Sequence, residues 1–152
     1  MSYLVFLVLN FGALALGALL MIEGPLENTW YQSLDKAPWT PPGWVFGFAW
    51  TTIMVCYSIY MGRIWRVFKD SRKHIAILFL IQWLLNVSWN PVFFHFHWMM
   101  LGMILIMSLE LILIIKHLKY SNRSFLSHIL IAPYILWLGI AFSLNAYAWY
   151  HA

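Results

Sequence analysis

Five apolar runs constrain this chain more than any other feature: Tyr3–Ile22, Trp44–Trp65, His74–Phe94, Trp98–His117 and Phe125–Tyr150. About 20 helical residues cross roughly 30 Å of hydrocarbon, and each run meets that length. The runs are continuously apolar rather than alternating, and too few to close a barrel of strands, so they read as helices. Of the 152 residues 63% are hydrophobic and 9% charged, more apolar surface than a soluble domain of this size can hide. The expected fold is all-α: one membrane domain over residues 1–152, a bundle of five transmembrane helices with a long ordered loop between the first two.

Charge orients the bundle. Arg63, Arg66, Lys69, Arg72 and Lys73 lie between spans two and three, and Lys116, Lys119 and Arg123 between spans four and five. These are eight of the nine basic residues; the ninth, Lys36, shares the first connector with Glu23, Glu27 and Asp35. The positive-inside bias puts the N-terminus and the basic loops 63–73 and 116–123 in the cytoplasm. The first connector, the His95–His97 turn and the C-terminus then lie outside. The formal charge of +4 therefore reports orientation, not nucleic-acid binding. Cys56 is the lone cysteine, which excludes an internal disulfide or thiol cluster and suits a small buried packing residue. The first residues lack a basic n-region and an Ala-x-Ala site, so the first run reads as a retained span.

The first connector is unusual. Pro38, Pro41 and Pro42 hold it extended, and Trp30, Trp39, Trp44 and Trp50 crowd the stretch from Trp30 to Trp50. Stiffly held aromatic rings can roof a site for a flat ligand. They can equally form a belt at headgroup level.

Span three carries the other signal. Gln82, Asn86 and Asn90 step by four and share a helix face, flanked by Trp83, Trp89 and Phe93. Amides facing lipid would leave donors and acceptors unpaired, so they must point inward. They serve either as glue between helices or as the polar edge of a cavity. Pro91 should kink or end the helix and free a carbonyl. In span two, Gly47, Trp50, Met54, Tyr57 and Met61 share a face; in span five, Tyr134, Trp137, Ala141, Asn145 and Ala148 do. Ala13 with Gly17, and Gly43 with Gly47, are spaced for close backbone approach, and span one past Asn10 reads as scaffold. Glu110 reads as structural, pairing toward Lys116. No phosphate loop, paired carboxylates or nucleophile triad is visible, and His95 and His97 do not share a helix face as metal ligands would.

These motifs in this order resemble the translocator protein / tryptophan-rich sensory protein family. The matches are Trp30-Tyr31-x-x-Leu34-x-Lys36-x-Pro38-x-x-Pro41-Pro42, then Trp50, then Gln82, Asn86, Trp89 and Pro91-Val92-Phe93-Phe94. Pro133-Tyr134-x-x-Trp137 and Leu144-Asn145-x-Tyr147-x-Trp149 complete the set. The resemblance implies a homodimer whose pocket, under the first connector, takes protoporphyrin IX, haem and isoquinoline or benzodiazepine ligands. It also implies photo-oxidative porphyrin breakdown in some bacterial members, and sterol binding in mitochondrial ones. Here Trp149 is followed by Tyr150, His151 and Ala152, so the basic residue of the sterol pattern is missing. The short C-terminus and the lack of a presequence suit a bacterial inner membrane.

The expected ligand site combines Trp30, Trp39, Trp50, Trp89 and Trp137 as stacking rings with Gln82, Asn86 and Asn145 as polar contacts. Tyr31, Tyr57, Phe93, Tyr134 and Ala141 complete its wall, and Lys36 could meet a propionate. Trp30 and Trp137 are the candidates for oxidative chemistry. No cofactor is required, porphyrin or haem being ligand or substrate. The alternative is a non-catalytic carrier or sensor of lipids, sterols or stress metabolites.

Overall fold

The computed structural model describes residues 1–121 and 124–152. Its spans are α1 (Ser2–Leu20), α3 (Gly43–Val67), α4 (Arg72–Asn90), α5 (Met99–Tyr120) and α6 (Phe125–Tyr150), with a short α2 (Thr29–Ser33) in the first connector. Five helical stretches are long and apolar enough to cross a membrane, the third running through Lys69–His95. Around the bundle the neighbours are α1 and α3, α3 and α6, α6 and α5, α5 and α4, and α4 and α1, a closed ring. That ring leaves α2 and its flanks to cover one end.

Hydrogen bonds between side chains pin the ring inside. Asn10 Nδ2 donates to Ser58 Oγ at 2.9 Å, joining α1 to α3. Tyr57 Oη donates to Gln82 Oε1 at 3.0 Å, and Gln82 Nε2 donates to Tyr134 Oη at 3.2 Å, so α3, α4 and α6 meet at one amide. Lys116 of α5 is fully buried, and its Nζ donates to Tyr57 Oη. In hydrocarbon, such bonds replace the water these groups would otherwise demand.

Several expectations change here. Lys116 is not a loop cation and does not serve Glu110: it lies inside α5, directed at Tyr57 and the ring of Phe79. The basic stretch 63–73 begins inside α3, with Arg63 and Arg66 in its last turns. Lys119 also lies within α5, and Arg123 falls outside the described residues. Gly17 packs inward as its spacing suggests, since a Cβ there would meet the Asn90 amide. Gly43 and Gly47 do not: nothing lies within 4 Å of where their Cβ atoms would be. A small residue permits close approach but cannot compel it. Cys56 is half-buried rather than fully enclosed.

Pro91 acts as expected. Without its N–H, α4 widens into one π-type turn over Pro91–His95, where Phe96 N donates to Pro91 O at 2.9 Å, five residues back. The chain then reverses through His97, whose φ of 60° is left-handed.

Candidate ligand cavity

The connector is a roof held at several points. Asn28 caps α2 by accepting from Tyr31 N at 2.8 Å, and its Nδ2 donates to Phe94 O at 3.0 Å. The acceptor is a carbonyl of the turn that Pro91 opens. Trp30 stacks on His97, with centroids 4.0 Å apart and planes 15° apart, and its edge meets Phe93. On the far side Trp39 Nε1 donates to Ser143 Oγ of α6 at 3.1 Å.

Beneath this roof lies a cavity of about 530 Å³, within the usual range for small-molecule sites. The roof contributes Tyr31, Leu34, Lys36, Ala37 and Pro41. Trp50 comes from α3, Asn86, Trp89 and Asn90 from α4, and Phe93 from the π-type turn. Ile106 and Leu109 come from α5, and Trp137, Ala141 and Asn145 from α6. Helix α1, expected as scaffold, adds Leu14 and Ala18. Indole rings from three helices therefore face one space.

Of the thirteen expected ligand residues, Tyr31, Trp50, Asn86, Trp89, Phe93, Trp137, Ala141 and Asn145 line the cavity, and five do not. Tyr57, Gln82 and Tyr134 lie outside the lining, bonded to one another in the bundle interior; Gln82 takes the glue role and Asn86 the cavity role. The four-residue step gave both amides the same face, but not the same depth. Trp30 sits outside the lining, spent on His97 and Phe93. Trp39 is 55% exposed at the roof edge. Trp83, a proposed flank of the stripe, turns to α1, where its Nε1 donates to Leu9 O at 2.8 Å.

Asn28 went unnoticed in the sequence, although an Asn ahead of Thr-Trp-Tyr-Gln is an N-cap signal. Among the described residues, Lys36 is the sole charged one in the lining. It donates to Gln32 Oε1 at 2.9 Å and lies 4.7 Å over the Tyr31 ring, poised at the mouth. Burial raises the Tyr31 phenol above its ordinary pKa, so it stays a neutral donor near neutral pH. The side-chain amides of Asn86 and Asn90 form no hydrogen bond among the described residues. The polar edge of the cavity is therefore free to meet a guest.

The sequence profile of the TspO/MBR family matches residues 4–150, nearly the whole chain and every helix that builds this cavity. The chain belongs to the TspO/MBR family. It is 30% identical to Protein CrtK of Rhodobacter capsulatus, over 98% of this chain and 93% of that protein. It is 28% identical to Tryptophan-rich protein TspO of Chlorobaculum tepidum, over 80% of this chain and 78% of that one. The Translocator protein of Homo sapiens is 26% identical, over 79% of this chain and 73% of its own length.

Proposed function

We propose that this TspO/MBR protein is a membrane receptor for large flat ligands, porphyrins such as protoporphyrin IX and haem foremost, with isoquinoline- and benzodiazepine-type compounds as smaller occupants. The observation that carries the reading is one roofed cavity lined by Trp50, Trp89 and Trp137 with unbonded amides at Asn86 and Asn90 and a single cation, Lys36, at its mouth. A porphyrin is an apolar disc with carboxylates on one rim. Indoles suit the disc, and Lys36 suits a propionate.

The test is titration of the purified protein with protoporphyrin IX, followed by tryptophan fluorescence. Saturable quenching weakened by Trp50→Phe and Asn86→Leu supports the reading. Lack of quenching, or an equal response to sterols and lipids, would favour a carrier or sensor of lipids instead.

Light-dependent oxidative breakdown is a second reading. It is favoured by Trp137, a cavity indole 7% exposed that meets Phe46 edge-on at 5.3 Å. Trp30 lies behind Phe93 and is the weaker candidate. Bleaching of bound porphyrin under light, unchanged by Trp137→Phe, would remove this reading and leave binding intact.

The reading places the protein in a bacterial inner membrane. The end bearing Arg66, Lys69 and Arg72 is cytoplasmic and the roof lies outside, following the positive-inside bias. A homodimer is part of the proposal: Gly12, Gly47 and Gly139, none of them in the cavity lining, have open space at their Cβ positions among the described residues, which leaves room for a second copy's backbone. Cross-linking in native membranes tests it.

A further inference from the structure

Glu110 is an acid that the fold leaves unanswered. It sits at the middle of α5, eleven residues after Met99 and ten before Tyr120. At 1.5 Å per residue those are distances of about 16 Å and 15 Å, each half of the roughly 30 Å of hydrocarbon. A side chain of two methylenes cannot carry a carboxyl that far, so Glu110 does not snorkel to either headgroup layer as a long cation near a helix end does. Within the protein it has no counterpart. It forms neither a hydrogen bond nor an ion pair among the described residues, and Lys116 is committed to Tyr57. It is not in the cavity lining. Ile106 and Leu113, a turn to either side, are buried, whereas Met107, Leu111 and Ile114 are exposed; Glu110 is half-buried between these two faces. The carboxyl therefore stands at the lipid-facing edge of α5, where acyl chains offer it no partner.

We propose that this stripe of α5 docks the transmembrane helix of another membrane protein, one whose lysine or arginine lies at mid-depth and pairs with Glu110. Charge selects the occupant. An acid held at this depth is matched by a base at the same depth, and ionisable groups inside a membrane pair with one another. A second copy of this chain does not supply that base. A two-fold contact over the stripe would set Glu110 against its own copy, acid on acid. The open glycines that leave room for a second copy lie on α1, α3 and α6, not on α5. Met103 and Met107 share the side of α5 that faces the docked helix, seven and three residues before the acid. Their unbranched thioether chains adapt to the relief of a partner. The inference concerns the outside of the bundle and is independent of what fills the cavity.

Full-length protein in phosphatidylcholine vesicles, titrated with dansyl-labelled synthetic helices, puts this to the test. The helices are apolar, about 20 residues long, and differ only at the central position, which is Lys, Leu or Glu. Energy transfer from the protein's tryptophans to dansyl reports association. The Lys helix should associate at a peptide-to-lipid ratio roughly tenfold lower than the Leu helix, the order of a polar contact or two between spans. Glu110→Leu should erase that advantage, and Glu110→Lys should transfer it to the Glu helix. Equal association of the Lys and Leu helices with the unaltered protein, or an advantage that survives Glu110→Leu, overturns the proposal. Tightest association of the Glu helix also overturns it, by showing that the acid pairs with its like, as a second copy would. The three-helix comparison on the unaltered chain decides the matter even if a variant does not fold.

Discussion

Replacing Asn28 with Ala should loosen the roof without touching the cavity wall. The side chain makes two bonds, accepting from Tyr31 N and donating to Phe94 O. It is 5% exposed, so water does not readily replace them. Loss of an N-cap costs about 1 kcal/mol, and loss of a second buried bond about as much again. The closed roof should therefore lose about 2 kcal/mol, roughly a thirtyfold rise in the population of open states. Two measurements follow it. Amide hydrogen exchange at residues 29–34 should accelerate by that order, Tyr31 most directly because its N–H is the one released. Dissociation of a bound porphyrin, timed by stopped-flow fluorescence, should quicken in parallel. Unchanged exchange at Tyr31 would show that Asn28 does not hold the roof. Faster exchange with unchanged dissociation would show that ligands leave by another route.

Other expectations follow from the same geometry. Ala141→Phe adds a ring to the cavity wall and should lower the affinity for porphyrin tenfold or more, by about 1.4 kcal/mol, with thermal stability in detergent retained. Gln82→Leu strands the hydroxyls of Tyr57 and Tyr134 and should cost about 2 kcal/mol in unfolding, while porphyrin affinity changes little; a large affinity loss would return Gln82 to the site. Lys116→Met removes a buried amine but keeps the volume, so its unfolding midpoint should equal or exceed that of the unaltered chain, whereas Lys116→Ala should lower it. The raised pKa of Tyr31 means its burial favours the neutral phenol. That contribution is complete below the ordinary tyrosine value of about 10 and is lost as pH rises through the higher folded value. Roof opening, read as amide exchange relative to the intrinsic rate at the same pH, should therefore increase in strong alkali, and Tyr31→Phe should remove the part of that increase that follows its ionisation.

The helices were readable because length and continuous apolarity suffice to place them. Seen from the sequence, Gln82 and Asn86 are alike: two amides one turn apart on the same face. Which one meets a guest depends on Tyr57 and Tyr134, brought to Gln82 from helices distant in sequence, and no local spacing encodes that meeting. Lys116 misled for a related reason. A lysine near a helix end ordinarily reports the cytoplasmic surface, but this one is turned inward by a phenol 59 positions earlier. The aromatic connector announced a roof, and eight cavity residues could be read from helical faces and motif order. Trp30 and Trp39 were drawn into the expected site because ring density does not say which ring is used to fasten the roof and which to line it.

Pro91 has a reach beyond its own turn. By loosening α4 into a wider coil, it positions the Phe94 oxygen that Asn28 grips. An alanine in its place would let the span continue as ordinary helix and would withdraw the hook from which the covering segment hangs. The grip on the cover thus traces to an imino acid outside the cavity lining, so a defect in ligand entry can originate in a helix whose own fold looks intact.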